Sequence, residues 1–128
     1  MTESGKVFAV DIHHLAINAI RKKVDKMGLK NIIPILIDSY WTGIADASID
    51  LVLLIDIIPV VRDHQSLFLE VFRVMKGKGR AYISHSHLSM AKTRKLVEGN
   101  GLFKISKCWS HDMIIEPLSG KPRVSHSL

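Results

Sequence analysis

The sequence predicts an α/β protein with a mostly parallel sheet and an antiparallel hairpin at its C-terminal end. Three observations carry this. Short continuous apolar runs recur and end in aspartate, at residues 7–10 before Asp11, 35–37 before Asp38 and 49–55 before Asp56. Continuous rather than alternating apolar runs mark strands buried on both faces. Stretches with helical periodicity lie between them, and strands alternating with helices give parallel pairs joined by right-handed crossovers.

Residues 7–10, Val-Phe-Ala-Val, form the first strand. From His14 to Met27, Ala16, Ala19, Ile20, Val24 and Met27 recur at helical spacing, while Arg21, Lys22, Lys23 and Lys26 take other positions and Gly28 supplies the stop. The second strand covers 35–37, with Pro34 as its first residue, where no donor is needed. A polar stretch over 39–48 leads to the third strand, 49–55, interrupted only by Asp50. Leu67, Phe68, Val71, Phe72 and Met75 trace one helix face, and Gly77 and Gly79 make a turn before the fourth strand, 81–84. A further helix is expected over 89–98, ended by Gly99-Asn100-Gly101, which accept positive φ. Segments 102–109 and 113–116, joined through Ser110-His111-Asp112, read as the closing antiparallel pair. One domain over 1–116 and a polar tail over 117–128 follow, without internal repeats.

Composition narrows the function classes. The longest apolar run, 51–61, contains Asp56 and Pro59 and falls short of the roughly 20 residues of a membrane span. The N-terminus lacks the basic start and apolar stretch of a secretory signal, so a cytoplasmic location is expected. The single cysteine, Cys108, has no intramolecular partner and reads as a small hydrophobe. The net charge of +6 comes from basic residues scattered along the chain. Without an aromatic-interleaved patch, this pattern favours solvated faces over a nucleic-acid interface.

Ligands of open α/β sheets bind beyond the carboxyl ends of the strands, which directs Asp11, Asp38, Asp56 and His85 toward one edge. An aspartate between a strand and a helix can accept two hydrogen bonds from ribose hydroxyls; capping the turn at His13 and His14 is the alternative role for Asp11. Asp56, among Ile55, Ile57 and Ile58, either faces a cleft or makes a structural hydrogen bond. His85-Ser86-His87 lacks an identifiable third ligand, and no metal site is expected. Pro34, Trp41 and Trp109 are assigned to turn or core.

Gly-Lys-Val-Phe-Ala-Val-Asp, residues 5–11, resembles the second strand of the class I S-adenosylmethionine (SAM) dependent methyltransferases and its ribose-binding acid. Asp38 after Ile-Leu-Ile resembles the acid near the adenine, and Ser-Ile-Asp-Leu-Val, 48–52, resembles the family's fourth strand. Residues 69–79, Leu-Glu-Val-Phe-Arg-Val-Met-Lys-Gly-Lys-Gly, are similar to the helix and turn before the fifth, and Asn-Gly-Leu-Phe, 100–103, to the approach to the closing strands. The resemblance spans about 5–116. It implies a Rossmann-like fold with strand order 3-2-1-4-5-7-6 and SAM as cofactor, with Asp11, Ile12, Asp38, Ser39 and Asp56 as cofactor-binding residues and Asp56 or His85 nearest the reacting end.

The matching segments begin after the position of the family's first strand and glycine-rich loop, and the expectation is a domain lacking that motif. Two functions remain open: methyl transfer from SAM to an unknown acceptor, and a non-catalytic, truncated or degenerate subunit acting through another protein. With a central strand missing, the strands at 7–10 and 51–55 are expected either to pair directly in a six-stranded sheet, the favoured arrangement, or to be covered by a partner chain, most simply in a homodimer.

Overall fold

The computed structural model describes residues 5–86 and 89–118. In chain order it contains β1 (Val7–Asp11), α1 (His14–Met27), β2 (Ile32–Leu36), β3 (Ile49–Ile55), a 3-10 turn (Ile58–Val60), α2 (His64–Val74), β4 (Met75–Ser84), α3 (Ala91–Gly99), β5 (Phe103–Cys108) and β6 (Asp112–Pro117). The elements fall into two compact units, one reaching to Gly43 and one starting at Ile44. The architecture is α/β and Rossmann-like, with parallel pairs in both units and the antiparallel hairpin at the end.

In the first unit β1 and β2 pair in parallel from Val7 opposite Ile32 to Asp11 opposite Leu36. Pro34 occupies the middle of β2 rather than its start. The strand tolerates it because, among the described residues, β2 has a ladder on one side only, and a proline whose nitrogen faces the open edge removes no ladder hydrogen bond. Helix α1 has the expected limits and closes on Gly28, whose φ of 64° is the left-handed value that suits glycine; the next N–H, of Leu29, reaches the Val24 carbonyl at 3.0 Å. Its buried side differs from the expected one. Ile17 is fully buried, whereas Ala19 faces outward and Met27 is 67% exposed.

The second unit has strand order β3-β4-β6-β5, with β3 and β4 parallel and the two other ladders antiparallel. Within each unit the order is the expected one, 3-2 for β2-β1 and 4-5-7-6 for β3-β4-β6-β5. The favoured six-stranded sheet does not form: β1 and β3 belong to separate sheets. Pairing β1 with β3 would have required the two to meet in register with no strand between them, and each instead keeps the neighbour reached through its own crossover helix.

One face of this four-stranded sheet carries the core. Leu54, Ala81, Ile83, Met113, Ile115 and Phe103 pack with Phe68, Val71 and Phe72 of α2 and Val97 of α3. Phe103 meets Phe72 edge to face at 5.6 Å, an arrangement that places a ring edge on the electron-rich face. The opposite face carries Leu51, Leu53 and Ile55, each more than half exposed, beside half-buried Tyr82 and Ile114. Arg80 and Lys104 both reach Glu116 there, at 3.0 and 3.1 Å.

Strand β4 starts earlier than expected. Met75 leaves the helix to become its first residue, and Lys76 to Gly79 form a bulge that shifts the register from Ile49 opposite Met75 to Leu51 opposite Arg80. Gly79 is required by close approach: a Cβ there would lie 3.1 Å from the Ile49 carbonyl oxygen, 3.0 Å from that of Lys76 and 2.5 Å from Cγ of Met75. Pro117 is buried as the last residue of β6, and Leu118 just beyond it donates to the Leu102 carbonyl. The remainder of the expected tail lies outside the described residues, as does His87. Trp41 and Trp109, expected in turn or core, are 55% and 51% exposed.

Candidate functional site

Parallel pairing carries β1 and β2 to the same end of their small sheet. Asp11 is the last residue of β1, and Ile37, one residue past β2, donates its N–H to the Asp11 carbonyl at 3.0 Å. Asp11 and Ile12 therefore leave one strand where Asp38 and Ser39 leave the other. Four of the five expected cofactor-binding residues thus share one sheet end.

Asp11 is half-buried, and its Oδ1 accepts the His13 N–H at 3.0 Å. His13 is the residue preceding α1, so the carboxylate organises the strand-to-helix turn with one oxygen. Its Oδ2 accepts no hydrogen bond from the described residues. Ile12 is 61% exposed, an aliphatic surface at a turn where sequence reasoning expected a binding role. Asp38 is exposed, and the Ser39 hydroxyl accepts the Trp41 N–H at 3.3 Å.

Asp56 ends β3, in the second unit, and its surroundings are built differently. Its backbone is left-handed, with φ of 55°, a conformation costing an ordinary L residue about 1 kcal/mol and more accessible to Asp and Asn. The structure maintains it through Ser86, whose N–H donates to Oδ1 at 2.7 Å and whose hydroxyl lies 2.9 and 2.7 Å from the two carboxylate oxygens. The Asp56 N–H donates to the Ser84 carbonyl at 2.7 Å. The structural hydrogen bond considered from the sequence is present, and it secures the ends of β3 and β4 to each other.

Beside it, the Ser84 hydroxyl donates to Asp112 at 3.0 Å. The nearby Asp112 carboxylate, ahead of some loss of solvent, pushes the Tyr82 phenol above its ordinary value. Neither Ser86 nor this Tyr82-Ser84-Asp112 group was singled out from the sequence. Their only sequence signal is the strand-end location of Ser84, because the partners lie about thirty residues apart.

His85 was expected at the same edge but is 2% exposed, and its Nε2 lies 2.7 Å from the Thr93 hydroxyl. This histidine joins β4 to α3. Among the described residues no three His, Cys, Asp or Glu side chains stand where they could hold a metal ion, and no helix is long and apolar enough to cross a membrane.

Comparisons with known proteins agree with this fold. A SAM-dependent methyltransferase from Aquifex aeolicus superposes with a TM-score of 0.77 at 18% identity, over 90% of this chain and 69% of that one. A Pyrococcus horikoshii protein gives a TM-score of 0.70 at 18% identity, over 88% and 72%. The cyclase SpnF gives 0.70 at 12% identity, over 81% and 44%. No curated protein sequence matches significantly. The family described as methyltransferase domain matches residues 1–83. With its strand order and its carboxylates at the carboxyl ends of parallel strands, the chain belongs to this methyltransferase domain family.

Proposed function

We propose that the chain binds SAM at the paired strand ends of its first unit and transfers the methyl group to an acceptor. The observation that carries this reading is the free Oδ2 of half-buried Asp11 beside exposed Ile12, with Asp38 and Ser39 leaving the adjacent strand. Those residue types fit a nucleoside. A carboxylate oxygen already oriented by a backbone N–H can accept a ribose hydroxyl, an exposed aliphatic chain offers an apolar surface to a flat base, and a carboxylate with a hydroxyl suits its polar edge. When bound, SAM supplies a methyl group already activated on a sulfonium. The protein's task is then orientation and exclusion of water. In the second unit the Asp56 carboxylate, fixed by Ser86, can hold a hydroxyl or a cationic group of a ligand.

Calorimetric titration with S-adenosylhomocysteine tests the reading. Binding is expected, and Asp11→Asn is expected to weaken it about tenfold or more, because a hydrogen bond to a charged group contributes roughly 1.5–3 kcal/mol. Asp56→Asn is expected to leave that affinity unchanged. A folded protein that gives no heat with either SAM or S-adenosylhomocysteine would remove the cofactor and leave a non-catalytic member of the fold acting through another protein.

A further inference from the structure

We infer that α1 presents a docking face for the phosphate chain of a nucleic acid. The inference goes beyond methyl transfer and does not depend on cofactor binding. Along the sequence the basic residues are scattered, but in the structure their pairing is not. In the second unit Arg73, Lys76, Arg80, Arg94 and Lys104 each face a carboxylate of the same unit, at 2.6–3.1 Å. In the first unit Lys6, Arg21, Lys22, Lys23, Lys26 and Lys30 are all exposed and form no ion pair with any described residue. Five of these six lie within residues 21–30, against the single carboxylate of Asp25. The helix dipole explains little of this, because its pull fades within the last turn and only Lys26 stands there.

Helix α1 turns these charges outward. Ile17 is buried and Ile20 and Val24 are half-buried, which puts Lys22 and Lys26, four residues apart, on the opposite side, with Arg21 and Lys23 flanking them. Beyond Gly28 the pairing of β1 with β2 adds two more. The Val7 N–H donates to the Asn31 carbonyl at 2.8 Å, so Lys6 enters β1 beside the point where Lys30 leads into β2. Lysine is almost never fully buried unless paired, so this face meets water or an anion whatever else adjoins it. A single small anion would leave most of the cluster unmatched, whereas a row of phosphates matches it. No aromatic ring stands among residues 21–30. The contact therefore runs through phosphates and not through stacked bases, and no base sequence is preferred. An anionic membrane is the weaker fit, because a helix lying in one buries a continuous apolar face. The large apolar residues exposed on α1, Leu15 and Met27, lie at its opposite ends, about 18 Å apart.

Fluorescence anisotropy of labelled oligonucleotides, single-stranded and duplex, tests this on the full chain. Binding is expected at low salt for unrelated base sequences alike, falling about a hundredfold between roughly 50 and 200 mM salt, as about four phosphate contacts require. Lys22→Glu with Lys26→Glu should weaken it about tenfold or more and flatten the salt dependence, with unchanged far-ultraviolet circular dichroism. Lys92→Glu with Lys95→Glu, the same change of net charge placed on α3, should have a much smaller effect. If the α1 double change unfolds the protein, Arg21→Gln with Lys23→Gln decides in its place, with a severalfold loss expected. No binding at low salt, a salt-independent affinity, a folded α1 variant that binds as wild type, an equal loss from the α3 pair, or a lysine-dependent affinity for phosphatidylserine vesicles exceeding that for the oligonucleotides would each overturn the inference.

Discussion

Arg73 shows how much one buried charge can organise. It is 6% exposed; its Nε and Nη2 donate to the two carboxylate oxygens of Glu70 at 2.8 and 2.7 Å, and its Nη1 donates to Asp46 at 2.6 Å. Around it, the N–H groups of Ala47 and Ser48 donate to the Arg73 and Val74 carbonyls, so the residues leading into β3 are fastened to the end of α2. The hydrogen bonds it donates to Glu70, ahead of that to Asp46, push the guanidinium still further toward its charged form. Arg73→Ala removes the cation that faces both Glu70, 11% exposed, and Asp46. A loss of about 3–5 kcal/mol in urea unfolding is expected. The double change Arg73→Met, Glu70→Leu should recover much of that loss, because it removes both charges of the more buried pair while Asp46, 42% exposed, keeps its access to water. Asp63 provides a pH-dependent counterpart. Its carboxylate accepts the Ser66 hydroxyl at 2.6 Å and the Ser66 N–H at 3.0 Å, capping α2, and these bonds lower its pKa from 3.8. A lowered carboxyl stabilises the fold above its unfolded value and loses that contribution as pH falls through the folded one. Asp63→Ala should therefore be less stable than wild type at neutral pH, with the difference shrinking once the pH passes below 3.8.

At the level of elements, α1 is the sharpest case of what periodicity reveals and what it leaves undetermined. The limits of the helix were legible because Gly28 ends it and apolar residues recur through it, yet the buried position proved to be Ile17. Apolar residues lie on more than one side of this helix, including Leu15 at 73% exposure, so spacing alone did not fix which side faces the strands. The first unit rests one helix on two strands, and a two-stranded sheet is marginal without packing. Ile17→Ala should destabilise this unit by about 2–5 kcal/mol. Limited trypsin digestion should then cut first at Arg21, Lys22, Lys23 and Lys30, leaving a resistant fragment that begins at Asn31, since no lysine or arginine lies between Lys30 and Arg62. Simultaneous loss of both units would contradict their separate stability. The bulge in β4 was illegible for another reason: Gly-Lys-Gly reads as a turn, and only the approach of the Ile49 carbonyl shows that Gly79 is packed within the sheet.

Across the whole molecule, the sequence was most readable where chemistry changes abruptly along the chain, as at Asp11 and Asp56, which close or directly follow their strands. Which strands join was less readable. A ladder depends on partners distant in sequence, such as Ile55 with Ser84, and local pattern carries no record of them. For the same reason Asp56 was legible but Ser86 was not. The placing of β3 has a further consequence in time. Strands β5 and β6 are separated by residues 109–111, and a hairpin of this kind closes within about 1–10 μs. Strand β3 is complete at Ile55, while its main ladder with β4 begins only at Arg80. At about 5–20 residues per second on the ribosome, roughly 1–5 s separate these two positions. During synthesis, then, the most apolar strand of the second unit waits longest for its neighbour, and its early fate depends on what it meets before β4 has been made.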